Sequence, residues 1–186
     1  MEAASALPGL ALLPAALAVP LIVAFRDRPA IREAWSVLAA LVQTALTGAM
    51  IPAVLGGATL VWRPFELVAE VPLALRADAL GVLFATVASA LWVLTTIYSI
   101  GYTRARAEPA QTRYFAAFAL CLFATVGIAL ADNLLTFLCF FELLTVATYP
   151  LVVHRETAEA ARAGRLYLAY TLGGGAALLA AVGWTY

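Results

Sequence analysis

Six stretches of roughly twenty residues, almost free of charge, restrict this chain more than any other feature. They run from Leu7 to Phe25, Ala34 to Leu55, Ala79 to Ile100, Tyr114 to Ala131, Leu134 to Val153 and Leu166 to Trp184. A helix rises about 1.5 Å per residue, so about 20 residues cross the hydrocarbon core of a bilayer. In lipid the backbone must satisfy its own hydrogen bonds, and a helix does so within one segment. The predicted fold is therefore an all-α membrane protein, a bundle of six transmembrane helices. Composition agrees. Of 186 residues 65% are hydrophobic and 12% charged, against about 25% charged in soluble domains.

Aromatic residues stand at the edges of the runs (Trp35, Tyr98, Tyr102, Tyr114, Tyr149, Tyr167 and Trp184), where amphipathic rings favour the headgroup level. A secretory signal would begin with a positive segment, whereas only Glu2 precedes the first run and Arg26, Arg28 and Arg32 follow it. The first run is thus expected to be a retained helix bent by Pro8, Pro14 and Pro20. Arginines set the orientation. Nine lie in the connections after the first, third and fifth helices (Arg26, Arg28, Arg32; Arg104, Arg106, Arg113; Arg155, Arg162, Arg165), and only Arg63 and Arg76 lie on the opposite side. Both termini should then be outside, together with the one sizeable loop, 56–78. Within that loop FELVAEVPLAL alternates as a short strand or hairpin does. On the inside, RETAEAARAGR (155–165) reads as a solvated helical turn with Arg155 and Glu159 four apart.

Several function classes drop out. Net charge is zero and no basic patch is interleaved with aromatics, so nucleic acid is not an expected partner. Cys121 and Cys139 lie within apolar runs without a CxxC pair or a histidine cluster, which points to packing thiols and to no metal site. Gly173, Gly174 and Gly175 fall in mid-helix, and all eleven basic residues are arginine. A phosphate-cradling loop needs a strand-to-helix turn and a lysine, so the glycines read as a close helix contact. No flavin, quinone, iron–sulfur or nucleotide signature is present, so no cofactor is expected and any redox chemistry would sit in partner subunits. Asp78, Asp132 and Asn133 stand directly before helices as caps. Gln43, Thr44, Thr125, Tyr170 and Thr171 are placed to bond between helices.

One residue does not fit an inert bundle. Glu142, in FLCFFELLTVATYP (137–150), is the only ionisable group well inside any run, ninth in a span of twenty. An unpaired carboxylate in hydrocarbon costs several kcal/mol or takes up a proton, and intramembrane acids mark ion or proton routes by default. At 100° per residue Cys139, Thr145 and Tyr149 fall within about 60° of it, a narrow polar stripe expected to face protein or water. Thr145 and Tyr149 could line a path toward the arginine-rich side, and His154 at the end of the helix could exchange protons there. The competing reading makes Glu142 inter-helix hydrogen-bond glue in a scaffold or assembly subunit. An intramembrane enzyme pairing Glu142 with His154 is set aside, because twelve residues separate them by about 18 Å along a helix.

ADNLLTFLCFFELLTVATYPLVVH (131–154) resembles the fifth helix of the antiporter-like membrane subunits shared by respiratory complex I, Mrp-type cation/proton antiporters and membrane-bound hydrogenases. RADALGVLFATVASALWVLTTIYSIGYTR (76–104) is similar to that family's third helix and AGRLYLAYTLGGGAALLA (163–180) to its sixth. The resemblance implies a multi-pass protein of a bacterial-type inner (cell) membrane, within a multisubunit proton-translocating antiporter or redox-driven pump that moves protons or exchanges sodium. It implies a division into an N-terminal three-helix segment, 1–103, and the first three helices of a translocating repeat, 104–186. Family members have about fourteen helices in inverted repeats, and their glutamate at this position works with a lysine on the seventh helix. Glu142 matches the glutamate, and nothing in this chain matches the lysine. A lysine-bearing helix is therefore expected from a longer polypeptide or from another subunit.

Overall fold

The computed structural model describes residues 2–68 and 71–185. Six membrane-length helical spans are present, two of them interrupted, and each is long and apolar enough to cross a bilayer. The first combines α1 (Leu7–Leu10) and α2 (Leu13–Ala24). They part because Pro14 has no N–H to give the Leu10 carbonyl, and Leu12 bonds back three residues to Gly9 instead. Pro52 divides the second span in the same way into α3 (Pro29–Ala49) and α4 (Ile51–Leu55). The remaining spans are α5 (Ala79–Ala105), α6 (Gln111–Ala129), α7 (Leu134–Val152) and α8 (Ala158–Thr185).

Helices run past the apolar runs at the arginine-rich end, since α3 starts five residues before Ala34 and α8 eight before Leu166. Polar residues continue a helix freely once it leaves the hydrocarbon. The segment 155–165 is accordingly mostly the start of α8. Glu156, at φ 55°, turns the chain just before it, so Arg155 and Glu159 do not share a helical turn, and Glu156 pairs with Arg113 instead.

Five helical spans form the packed body, in which α2 packs on α3 and α6, α3 on α5, and α6 on α5 and α7. One apolar cluster, built around Met50, Leu75, Val126 and Leu130, lies near the opposite end from the arginines. A second, around Ile22, Trp92, Phe115 and Leu122, lies nearer to them. α8 differs. It packs chiefly against α7 and is exposed along most of its length.

The loop 56–78 carries more strand than its sequence announces. β2 (Thr59–Trp62) pairs in parallel with β1 (Glu2–Ala4) and antiparallel with β5 (Leu75–Ala77), and β3 (Glu66–Val68) with β4 (Val71–Pro72) makes the expected hairpin. This small sheet is stitched to the α6–α7 turn. Arg76 N–H donates to the Leu130 carbonyl (2.6 Å), Asp132 N–H to Ala74 (2.9 Å), and the Asn133 amide to Pro72 (2.8 Å).

Two caps act as read from sequence: Asp78 accepts from Gly81 N–H and Asn133 from Thr136 N–H, each at 2.7 Å. Asp132 does not cap. Its carboxylate is held by Arg76 and by Arg63 (3.1 Å), and Arg76 also reaches Glu2 at 2.8 Å. Burial alone would raise Asp132, but hydrogen bonds and charge from Arg76 and Arg63 outweigh it and hold the carboxyl below the usual range. Both arginines of the sparse side are thereby consumed in one ion cluster.

Candidate functional site

Asn133 fixes where α7 begins, and this puts Glu142 about 12 Å along the helix with about 15 Å remaining to Val152, at 1.5 Å per residue. The acid is therefore near mid-depth of the span. Its carboxyl group points to α8, against Gly175. A Cβ at Gly175 would collide with the carboxyl oxygens, so with any larger residue there the end of the acid's side chain would have to shift. Gly173 and Gly174 have open space where a Cβ would stand. Of the three glycines, one makes the close contact.

Glu142 Oε1 is shut off from solvent and has no hydrogen-bond partner. Among the described residues no arginine approaches the acid closely enough to form an ion pair. A buried polar atom without a partner is rare and calls for an explanation. Here the helix geometry supplies part of one. Turned at 100° per residue, α7 presents Phe140 to α6 and Thr145, Thr148 and Tyr149 to α8, the Thr136 hydroxyl accepts from Ala74 N–H at 3.1 Å just before β5, and Cys139 and Val146 lie on an exposed strip between the two sides. Glu142 sits at the edge of that strip. Cys139 is thus exposed beside the acid, because α8 covers only part of the arc on which the polar stripe lies.

On the covered part the polar groups meet. Thr145 is buried, and its hydroxyl donates to the Phe141 carbonyl at 3.2 Å. One turn on, Thr148 and Tyr167 of α8 share a hydrogen bond of 2.6 Å. Tyr167 stood out in the sequence only as an aromatic at the edge of a run and Thr148 not at all, since a threonine at i+6 from the acid is off its face until a second helix supplies the phenol. These groups, with Phe141, Leu144 and Thr171, line an open cleft of about 320 Å³ between α7 and α8. Tyr149 packs over Gly164, with a ring carbon 2.9 Å from the place a Cβ would take.

His154 lies beyond the end of α7 and is mostly buried. Its Nε2 is 3.9 Å from Glu108 Oε2, its ring stands edge-on to Tyr114, and its carbonyl accepts from Arg113 at 3.0 Å. Its Nδ1 is buried without a partner. Tyr114 in turn reaches Ser99 on α5 at 3.0 Å. The histidine is therefore packed into the junction of the α5–α6 and α7–α8 turns, about 18 Å along the chain axis from Glu142 and not in contact with it.

A second buried charge escaped the sequence reading. Arg32 and Glu33, 4% and 3% exposed, lie inside the arginine-rich end. Arg104 grips both oxygens of Glu33, and Arg32 bonds Thr112 (3.0 Å) and Gln111 (2.8 Å) while lying over the Phe115 ring. The two residues stand just outside an apolar run and so look like loop. The available signal was spacing, because Glu33, Ser36, Ala40, Gln43 and Thr47 recur every three to four residues and all are buried against α5. Gln43 makes the expected bond between helices, to Ser89 at 3.4 Å, whereas Thr44 and Thr171 bond their own helices.

The fold is shared with a known assembly. A chain in the structure of the membrane-bound sulfane sulfur reductase (MBS), an archaeal respiratory membrane complex, superposes with a TM-score of 0.79 at 18% sequence identity over 92% of this chain. The present chain spans 35% of the length of that one. At this identity the likeness establishes common architecture. No protein-family model matches the sequence, and no curated protein is similar to it.

Proposed function

We propose that the chain is a membrane subunit, or the N-terminal part of one, of a multisubunit respiratory-type complex, and that Glu142 carries protons within it. One observation supports this above the others: an acid at mid-span whose Oε1 is buried without a partner, at the edge of a strip of α7 that no helix among the described residues covers. The architecture held in common with a chain of an archaeal respiratory membrane complex is consistent with such a setting.

In this reading a cation-bearing helix, a lysine by the resemblance, docks along the Cys139–Val146 strip. A cation near the carboxylate favours its charged form, and withdrawal of the cation favours uptake of a proton. Movement of that helix then alternately loads and unloads Glu142. Thr145 and Tyr149, with the Thr148–Tyr167 pair, lie along the way to the arginine-rich end, where His154 exchanges protons with water. Residues 1–103 brace the first helices of the translocating unit, 104–186, and the arginine-rich end faces the cytoplasm. Whether sodium is exchanged for the proton is a property of the partner subunits.

The alternative is a non-conducting scaffold, favoured by the long uncovered face of α8. The complete complex carrying Glu142→Gln, reconstituted in vesicles, separates the two. Loss of proton transport by at least tenfold with partners co-purifying in normal yield, and partial recovery in Glu142→Asp, is the expected result. Undiminished transport removes Glu142 from the proton route. Loss of partner subunits in parallel with transport makes the acid assembly glue.

A further inference from the structure

A groove runs down the outer surface between α2 and α3. Leu10, Leu13, Leu17 and Leu21 form one wall, Leu38, Val42 and Leu46 the other, and Ala18 and Ala39 the floor. From Leu46 to Trp35 the cleft extends about 16 Å at 1.5 Å per residue. It continues past Trp35 into a second cleft lined by Phe25, Ala30, Ile31, Ala34 and Leu38, which opens at the arginine-rich end. The lining is almost wholly apolar. The small floor residues are what hollow it out.

Three features at its mouth break that apolar character. Trp35 lines both clefts, and its Nε1 is buried with no acceptor. Arg26 and Arg28, on the α2–α3 turn, are exposed. Arg26 meets only Asp27, at 3.6 Å, and no acid pairs with Arg28 among the described residues. Glu33, the nearest other acid in sequence, is already held by Arg104 and Arg32.

We infer that this groove is a binding site for an anionic glycerophospholipid of the membrane, with an acyl chain lying in the groove past Trp35 and the phosphate at Arg26 and Arg28. The occupant follows from shape and charge together. A single acyl chain suits a slot lined end to end by leucine and alanine side chains, with the small floor residues Ala18 and Ala39 leaving it room. An acyl chain alone would fill any apolar slot, but Arg26 and Arg28, exposed at one end with Asp27 beside them, leave a net positive charge there that favours an anionic headgroup. Basic pockets between helices on the cytoplasmic side are the setting in which anionic headgroups are held. This site is remote from Glu142 and stands or falls independently of proton transport.

The test uses the complete complex in vesicles containing equal amounts of photoreactive phosphatidylglycerol and phosphatidylcholine, each with its diazirine on the acyl chain, followed by peptide mapping. Cross-links should concentrate on the peptides carrying Leu17 and Leu38, with about a fivefold preference for the anionic lipid, the worth of one net basic charge near the surface. Arg26→Gln with Arg28→Gln should remove the preference while leaving the cross-links. Ala39→Phe should remove the cross-links, and Ala39→Ser, which does not fill the groove, should keep them and so control for folding. Equal labelling by both lipids in the unaltered protein, labelling spread evenly over the outer helices, or no labelling because a partner segment covers the groove would each overturn the assignment.

Discussion

Replacing Gly175 by alanine tests the placement of the buried acid directly. The new Cβ would overlap the Glu142 carboxyl group, so α8 must move away or the acid must turn toward the exposed strip of α7. The carboxyl group is the flexible end of its side chain and can turn aside, so the overpacking cost lies at the low end, about 1 kcal/mol, against which alanine returns up to about 1 kcal/mol of helix propensity over glycine. In a Glu142→Ala background the obstruction is gone and only the propensity gain remains. The four proteins of the cycle should therefore show a coupling of about 1 kcal/mol, above the roughly 0.5 kcal/mol within which independent sites add. Reversible unfolding in bicelles, followed by far-ultraviolet circular dichroism, supplies the four free energies. Gly173→Ala and Gly174→Ala serve as controls and should show no coupling to residue 142, because both positions open onto free space. A coupling near zero for Gly175, or one as large for Gly174, would mean that the carboxyl group does not lie against α8 at this point.

Three further outcomes follow from the same geometry. Glu33→Gln takes the charge from the acid beside the buried Arg32, and should lower stability in the same unfolding assay, more than Glu159→Gln on the exposed start of α8. Asp132→Asn should cost about 1–3 kcal/mol, since one partner is half exposed and the other a third exposed. Because Asp132 is depressed in the folded state, its contribution is complete above the unfolded value of about 3.9 and fades as pH falls through the folded one. The difference between wild type and Asp132→Asn should thus stay constant from pH 7 to 5 and shrink below about pH 4; a difference that shrinks already between pH 7 and 5 would contradict the ion cluster. Tyr167→Phe should cost about 1 kcal/mol by losing the 2.6 Å bond to Thr148, and Thr148→Val in the Tyr167→Phe background should add little.

The bundle could be read from hydropathy because lipid permits few alternatives. Every membrane-spanning backbone must close its own hydrogen bonds, so run length alone gave six spans, and the asymmetry of the arginines ordered their ends. The same reasoning picked out Glu142, since an acid amid FFELL is costly in oil and so stands out whether it carries protons or bonds a neighbouring helix. Caps at Asp78 and Asn133 were equally legible, being local. What failed was everything that depends on a neighbour. Asp132 looked like a cap until Arg63 and Arg76 arrived from the strand-bearing loop, Arg32 and Glu33 looked like loop until α5 and α6 enclosed them, and the expected Arg155–Glu159 pair gave way to Arg113 and Glu156. The pairing of β1 with β2 joins residues more than fifty positions apart, which no local pattern encodes.

The sequence by itself determined that this chain lives in a bilayer, how many times it crosses, and that one crossing carries an acid at mid-depth, because each of these is a property of single segments against a uniform solvent. Only the tertiary structure decided what that acid meets. Packing chose Gly175 out of three glycines, covered Thr145 and left Cys139 bare, since the arc of α7 that α8 shields is set by how two surfaces fit and not by either sequence alone.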